Sequence, residues 1–151
     1  MKKGIELIVT ILIVAVAVVV GVKMFVHNKE AKYAATAVPY VEKVVPEISK
    51  WDAATVKKYM AEETLSKLSD EKIEQILASL SRLGALKKVG KPVFQSADTY
   101  KTKGGKEVTT VAYKVSTEYE QGAAEISIGL LANGDSYQIE NFNFSSPLLS
   151  K

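Results

Sequence analysis

Two changes in the spacing of hydrophobic residues divide the chain into three parts. Residues 7–26 read LIVTILIVAVAVVVGVKMFV and carry no charge before Lys23. Between about residue 37 and residue 83, apolar residues recur at steps of three and four, which is the spacing of one helical face. From Val89 onward they recur at steps of two, as in a strand with one buried face. The pattern therefore predicts a long apolar segment, then amphipathic helices, then a β-sheet.

The apolar segment Leu7–Val26 predicts a transmembrane helix, because about 20 apolar residues span the hydrocarbon core of a bilayer. A cleaved signal peptide is the alternative, but its apolar region normally has only about 7 to 15 residues. Lys2 and Lys3 before the segment favour a cytoplasmic N-terminus. We therefore expect residues 1–27 to be a single-pass anchor, with the lipid bilayer as partner, in the inner (cytoplasmic) membrane of a bacterial cell. Residues 28–151 would form one domain outside the cytoplasm.

The first amphipathic helix is predicted between Asn28 and Trp51, and its two prolines bear on its shape. Pro39 fits the first turn of a helix, where its missing amide hydrogen costs nothing. Pro46 lies inside the pattern, so we expect a kink or a break near Val45. The residues expected to face the core are Ala37, Val41, Val44, Val45 and Ile48.

Two further helices carry capping signals. Asp52 can cap a short helix over Ala53–Met60. Ser69 is the expected N-cap of a helix over Asp70–Leu83, and Gly84 is placed for a left-handed C-cap. The apolar stripe of this last helix consists of Ile73, Ile76, Leu77, Leu80 and Leu83.

The rest of the chain predicts four antiparallel strands joined by tight turns. The first covers Val89–Tyr100 and is interrupted by Gly90 and Pro92. Asn133-Gly134 predicts a type I′ turn before the last strand, in which a change of apolar parity across Glu140-Asn141 predicts a β-bulge. The inward-facing residues expected on the last three strands are Val111, Tyr113, Val115, Thr117 and Tyr119; Ala124, Ile126, Ile128 and Leu130; and Tyr137, Ile139, Phe142 and Phe144.

This order of elements predicts an α+β fold, in which an N-terminal transmembrane helix is followed by helices packed on a curved four-stranded antiparallel sheet. The pair Trp51-Asp52 after a long helix, the ending Leu83-Gly84, and the hairpin from Ile126 to Ile139 resemble the nuclear transport factor 2-like (cystatin-like) superfamily. The resemblance covers about Glu30 to Ser146. It implies a cone between sheet and helices. The superfamily includes isomerases, dehydratases, secretion-system assembly factors and anchored domains without known activity, so the fold alone does not select a function.

Composition narrows the possible chemistry. The chain has no cysteine, and its one histidine is His27, so thiol chemistry, Ser-His nucleophiles and nitrogen or sulfur metal sites are poor expectations. The net charge of +3 is scattered without a basic stripe, which disfavours nucleic acid as a partner. Residues 103–106, KGGK, lack the spacing of a phosphate-binding loop and predict a hairpin turn. We expect no cofactor.

The inner-facing tyrosines are the candidates for a site in the cone. The resemblance implies that related enzymes use an Asp, Tyr or His there as acid or base. A tyrosine in a small core more often packs, with its hydroxyl reaching water. The two phenylalanines after the bulge either cap the core or present a ring to a partner. The possible ligand or partner contacts are therefore Tyr113, Tyr119, Tyr137, Phe142 and Phe144, and we assign none of them a catalytic role.

The sequence favours a membrane-anchored, non-enzymatic interaction or small-ligand-binding domain, such as an assembly factor that contacts a protein of the cell envelope. A pocket enzyme of the nuclear transport factor 2-like type is one alternative. A pilin-like or pseudopilin-like subunit is another, because a basic leader ending in Gly4, then an apolar helix with Glu6, resembles those proteins. In them the glutamate is the fifth residue after the glycine, whereas here it is the second. Pro39 and Pro46 argue against the single continuous helix of a pilin.

Overall fold

Helices precede an antiparallel sheet in the part of the chain that the structure, a computed structural model, describes, which is residues 28–150. The α+β arrangement predicted from the hydrophobic pattern is thus present. The predicted transmembrane segment Leu7–Val26 lies outside the described residues. Within residues 28–150, no helix is both long and apolar enough to cross a membrane.

The first helix, α1, is helical throughout residues 28–48. Its predicted inward face is buried, because Ala37, Val41, Val44, Val45 and Ile48 are each at most 1% exposed. The helix ends in a turn at Ser49 and Lys50, after which Trp51 takes a φ of 58°. A left-handed residue commonly closes a helix, but it is usually a glycine.

Of the kink or break predicted near Val45, the break is wrong, and so is the placement of Pro39 in a first turn. Both prolines lie inside the continuous helix 28–48 and on its exposed side. A proline leaves the carbonyl four residues earlier without its helical donor. Here those carbonyls belong to Ala35 and Glu42, which are also exposed, so water can satisfy them. The prolines therefore do not argue against a continuous helix over this range.

Three shorter helices follow: α2 over Ala53–Tyr59, α3 over Glu62–Ser66 and α4 over Asp70–Leu80. The predicted caps are present, because Asp52 accepts a hydrogen bond from the Thr55 amide and Ser69 accepts one from the Lys72 amide. A 3₁₀ turn, Ser81–Leu83, extends α4 to Gly84, whose φ is 80°. Most of the predicted α4 stripe is buried, but Ile76 is 36% exposed.

The sheet has five strands instead of the predicted four, so the expected fold class was wrong on this point. They are β1 (Leu86–Val89), β2 (Val93–Lys101), β3 (Glu107–Tyr119), β4 (Gly122–Asn133) and β5 (Ser136–Ser145). The predicted first strand is split at Gly90 and Pro92, because a proline cannot donate to the ladder and leaves the pairing there. Both halves pair with β3, β1 near Tyr119 and β2 from Lys114 to Glu107. The order then continues through β4 to β5.

The turn between β4 and β5 also differs from its prediction. Asn133 pairs with Ser136, which leaves Gly134 and Asp135 as the two central residues. Among these two, only Gly134 has a positive φ, of 65°. A positive φ at the first central residue alone is typical of type II′, whereas type I′ requires it at both.

The core lies between the sheet and the helices, as the alternation predicted. The inward residues of β3 and β4 are at most 5% exposed, and Tyr137, Ile139 and Phe144 of β5 are at most 8% exposed. The predicted β-bulge in β5 is confirmed: Ile139 pairs with Leu130 and Asn141 with Gly129, so Glu140 is the extra residue. Phe142 is only half-buried.

The α4 face can be tested with a matched pair of variants. Leu80 is buried, whereas Lys72 is exposed on the same helix. We expect Leu80→Ala to lower the free energy of unfolding by about 2–5 kcal/mol, because the truncation leaves a cavity. Lys72→Ala should change it by less than about 0.5 kcal/mol. Urea denaturation followed by the fluorescence of Trp51 measures both, and equal losses would show that the helix face is misassigned.

Candidate functional site

The five residues predicted as contacts do not form one site. Tyr113 and Tyr137 lie near the part of α1 that contains Thr36, whereas Tyr119 and Phe144 lie near its end at Ser49. Phe142 follows the bulge and touches Phe144 edge-on, with ring centroids 5.9 Å apart. The structure therefore separates the set into two aromatic clusters.

The first cluster packs the sheet against α1. The hydroxyl of Tyr137 is hydrogen-bonded to the hydroxyl of Thr36 at 2.7 Å, and its ring lies 5.7 Å from the ring of Tyr40. Phe94 of β2 meets Tyr113 edge-on, with centroids 5.8 Å apart. These rings are close enough to interact favourably beyond the area that they bury.

The second cluster holds Trp51 in its unusual backbone conformation. Its indole Nε1 donates to the carbonyl of Gly84 at 3.0 Å, and its ring lies 5.5 Å from Tyr119 and 5.6 Å from Phe144. A bulky residue in the left-handed region costs about 1–2 kcal/mol. The hydrogen bond and the ring contacts offset that strain and tie the end of α1 to the end of α4.

Tyr113 differs from the other two tyrosines. It is 1% exposed, and its hydroxyl is the one buried side-chain polar atom in residues 28–150 without a hydrogen-bond partner. Burial, with smaller contributions from the nearby Tyr137 and Glu30, raises the pKa of Tyr113 to about 12. Tyr119 instead bonds to the Ser49 hydroxyl at 2.8 Å. The Tyr113 hydroxyl therefore stays protonated at neutral pH and contributes no charge to the core.

The open concavity with the most apolar lining is a crevice between the short helices and the bulged strand β5, which we call the apolar crevice. Its volume is about 160 Å³. Leu68, Ile76 of α4 and Phe142 of β5 are its partly exposed apolar residues. The crevice is lined by Val56, Met60, Thr64, Leu68, Ile73, Ile76, Leu77, Glu140, Asn141 and Phe142. A pocket of this lining suits one apolar group with a polar rim beside it.

A second concavity, which we call the polar cleft, adjoins the apolar crevice. Its volume is about 260 Å³, and it is lined by Ala61, Glu63, Thr64, Lys67, Leu131, Glu140 and Asn141. Thr64, Glu140 and Asn141 line both concavities and thus form their common wall. The bulge at Glu140 creates this arrangement, because the extra residue turns Phe142 toward the crevice. The side chain of Asn141 lies over Gly129 of the neighbouring strand β4.

Glu140 is held from two directions. On the sheet, the hydroxyls of Tyr100 and Thr110 donate to its carboxylate at 3.2 and 3.0 Å. From α3, the hydroxyl of Thr64 donates to its backbone carbonyl at 2.8 Å. The carboxylate is half-buried, and no salt bridge within residues 28–150 includes it. An oriented carboxylate with only neutral donors can accept a cation from outside.

A larger groove, of about 470 Å³, lies on the sheet near Ser116, Glu118 and Glu125. Glu125 in its lining pairs with the ammonium of Lys114 at 3.2 Å across the strands. Exposed pairs of this kind contribute little, and the groove contains no aromatic side chain. We therefore place the candidate site at the apolar crevice.

Sequence reasoning found Phe142 and the bulge but missed Glu140 as a candidate site residue. It also missed Thr64, Tyr100 and Ile76, which lie far from Glu140 along the chain. The change of parity at Glu140-Asn141 was the available signal, since bulges often redirect side chains at sites. Within the described range, no cluster of three or more acidic or histidine side chains could hold a metal ion.

Comparison of the chain with models of known protein families and with curated proteins gives no match. The resemblance to the nuclear transport factor 2-like superfamily therefore stays a hypothesis, and the site must be interpreted from its own geometry.

The two tyrosine hydroxyls offer a matched test of the core. Tyr113→Phe removes a hydroxyl without a partner. We therefore expect the free energy of unfolding at neutral pH either to rise or to fall by less than about 0.5 kcal/mol. Tyr119→Phe breaks the bond to Ser49 and leaves that buried hydroxyl unsatisfied, which should cost about 1–2 kcal/mol. Chemical denaturation measures both values.

The same variants carry a pH signature. A tyrosine whose pKa is 10.0 in the unfolded chain and about 12 in the fold loses its proton first in the unfolded chain. Stability should therefore fall as pH rises from about 10 to 12, by at most about 1.4 kcal/mol per pH unit for each such tyrosine. Tyr113→Phe should reduce that slope. An unchanged slope would show that burial does not raise this pKa, and a large loss at neutral pH would show that the hydroxyl has a partner.

Proposed function

We propose that this protein is a non-enzymatic binding domain, held at a membrane, whose apolar crevice receives an apolar group of a partner. The observation that carries the proposal is the exposure of Ile76 and Phe142 beside a crevice of about 160 Å³. Both side chains would gain burial if a partner covered them, at roughly 25 cal/mol per Å² of apolar surface. A docked group would therefore be stabilised without any rearrangement of the core.

The environment of the inner tyrosines supports a binding role over a pocket enzyme. Tyr119 and Tyr137 use their hydroxyls to bond to Ser49 and Thr36, and both are buried. A general acid works best when its pKa is near the working pH. Tyr113, with a pKa of about 12, is far from that range. The architecture of helices on one face of a curved sheet is also in keeping with the proposed nuclear transport factor 2-like relationship.

The lipid bilayer is the second proposed partner, through residues 7–26. The support is the composition of that segment, since it has no charge over its first 16 residues, from Leu7 to Val22. We expect the full chain to stay in the membrane pellet after alkaline carbonate extraction. A variant that lacks residues 5–26 should move to the supernatant. Recovery of the full chain in the supernatant would contradict the proposal.

The crevice can be tested by photo-crosslinking in the full chain. A photoreactive phenylalanine analogue at Ile76 should form a discrete adduct, whereas the same analogue at Glu71, which is exposed on the same helix but does not line the crevice, should not. The adduct at Ile76 should disappear in a Phe142→Ser background, because that change removes the apolar wall of the crevice. Hot-spot losses of this kind reach about 2 kcal/mol or more of binding free energy.

Stability must be followed in the same variants. Phe142 is half-buried, whereas Phe144 is 8% exposed and packs on Trp51. Phe144→Ala should therefore cost about 3–5 kcal/mol of unfolding free energy, and Phe142→Ser should cost less. Equal adducts at Ile76 and Glu71, or an adduct that Phe142→Ser leaves unchanged, would contradict the crevice as the binding site.

A further inference from the structure

The helices that form the apolar crevice are acidic, although the chain as a whole has a net charge of +3. Between Asp52 and Leu77 the net charge is −2, since the segment contains six acidic residues and four lysines. The acids are Asp52, Glu62, Glu63, Asp70, Glu71 and Glu74, and the lysines are Lys57, Lys58, Lys67 and Lys72. The sign of charge near the crevice is thus opposite to that of the whole molecule.

Two of these lysines are already paired within the fold. Lys57 pairs with Asp70, and Lys67 pairs with Glu63 at 3.3 Å. Glu140 adds a further negative charge from the sheet, and its carboxylate accepts only the neutral hydroxyls of Tyr100 and Thr110. The polar cleft is lined by Glu63, Lys67 and Glu140, and because Lys67 is paired with Glu63, Glu140 leaves the lining with a net charge of −1.

The two concavities also fix the shape of a complementary group. The crevice, of about 160 Å³, is close in volume to a cavity of about 150 Å³ that admits one benzene ring, which suits one large side chain better than an extended acyl chain. The polar cleft begins at the same wall, at Thr64 and Asn141. A ligand that fills both would place an apolar group and a polar or charged group within a few residues of each other.

We propose that the apolar crevice binds a segment of a partner protein in which an apolar side chain lies next to a lysine or arginine. The apolar side chain occupies the crevice between Ile76 and Phe142, and the cation lies in the polar cleft against Glu140. This inference rests on the proposed function, since it names the partner of the same crevice. An anionic lipid headgroup is disfavoured at this position, because the surrounding acids would repel it.

The test uses the full chain in nanodiscs of zwitterionic lipid and two short fluorescent peptides. Both peptides share a Leu-Phe pair, which is flanked by lysines in one and by glutamates in the other. We expect the lysine peptide to bind about tenfold or more tightly than the glutamate peptide, as measured by fluorescence anisotropy. Raising the salt from about 0.05 to 0.5 M should reduce the difference, because exposed charges are then screened.

Glu140→Gln is the decisive variant, since glutamine can accept one of the two hydroxyls of Tyr100 and Thr110 with its Oε1 and donate its Nε2 to the other, but carries no charge. It should weaken the lysine peptide about 3- to 10-fold and leave the glutamate peptide unchanged or tighter. The control, Glu74→Gln, removes an equal charge from α4 at a position that does not line the crevice, and it should change binding less than about twofold.

The remaining outcomes distinguish an error about the partner from an error about the binding site. If both peptides bind equally and Ile76→Asp abolishes both, the crevice is a binding site but the basic partner is wrong. If neither peptide binds while the crosslinked adduct at Ile76 persists, the inference fails and the proposed function stands. Binding to empty nanodiscs at the same strength would show adsorption to lipid and would also overturn the inference.

Discussion

The inner face of the sheet has to be covered, and the packing of α1 against it is the interaction on which the other elements depend. Tyr113, Tyr119 and Tyr137 of the sheet and the buried aliphatic residues of α1 line this interface, where exposed apolar area would be costly. Two hydroxyl pairs, Thr36 with Tyr137 and Ser49 with Tyr119, fix the helix along its length. The direction of α1 then determines where Trp51 leaves it and where the three shorter helices begin.

Trp51 links the direction of α1 to the position of the candidate site. Its left-handed backbone turns the chain sharply, and its indole bond to Gly84 joins the end of α1 to the end of α4. The helices α2 and α4 are thereby held beside β5, and Ala61 donates from this segment to the carbonyl of Ile139 at 2.8 Å. The apolar crevice is the space left between these elements, just beyond that bond.

The bulge at Glu140 gives this space its mixed character. A regular strand would alternate without interruption. Phe142, three residues after Ile139, would then lie on the opposite face of the sheet. With the extra residue, an apolar ring and a carboxylate belong to the same short stretch of β5: Phe142 lines the crevice, and Glu140 lines both the crevice and the polar cleft. One local irregularity thus accounts for both the anchor and the charge of the candidate site.

The sequence by itself determined the features that depend on near neighbours along the chain: the alternation of β3 and β4, the caps at Asp52 and Ser69, and the bulge. It did not determine whether a proline interrupts the helix or strand that contains it. Pro46 was expected to break α1 but lies where exposed carbonyls can bond to water, whereas Pro92 splits a predicted strand because the ladder there requires a donor. The exposure of Ile76 and the hydroxyls around Glu140 were decided only by tertiary structure. Those features join residues from α3, α4, β2, β3 and β5, and no spacing along one element can encode contacts between elements that meet only after the sheet has curved around α1.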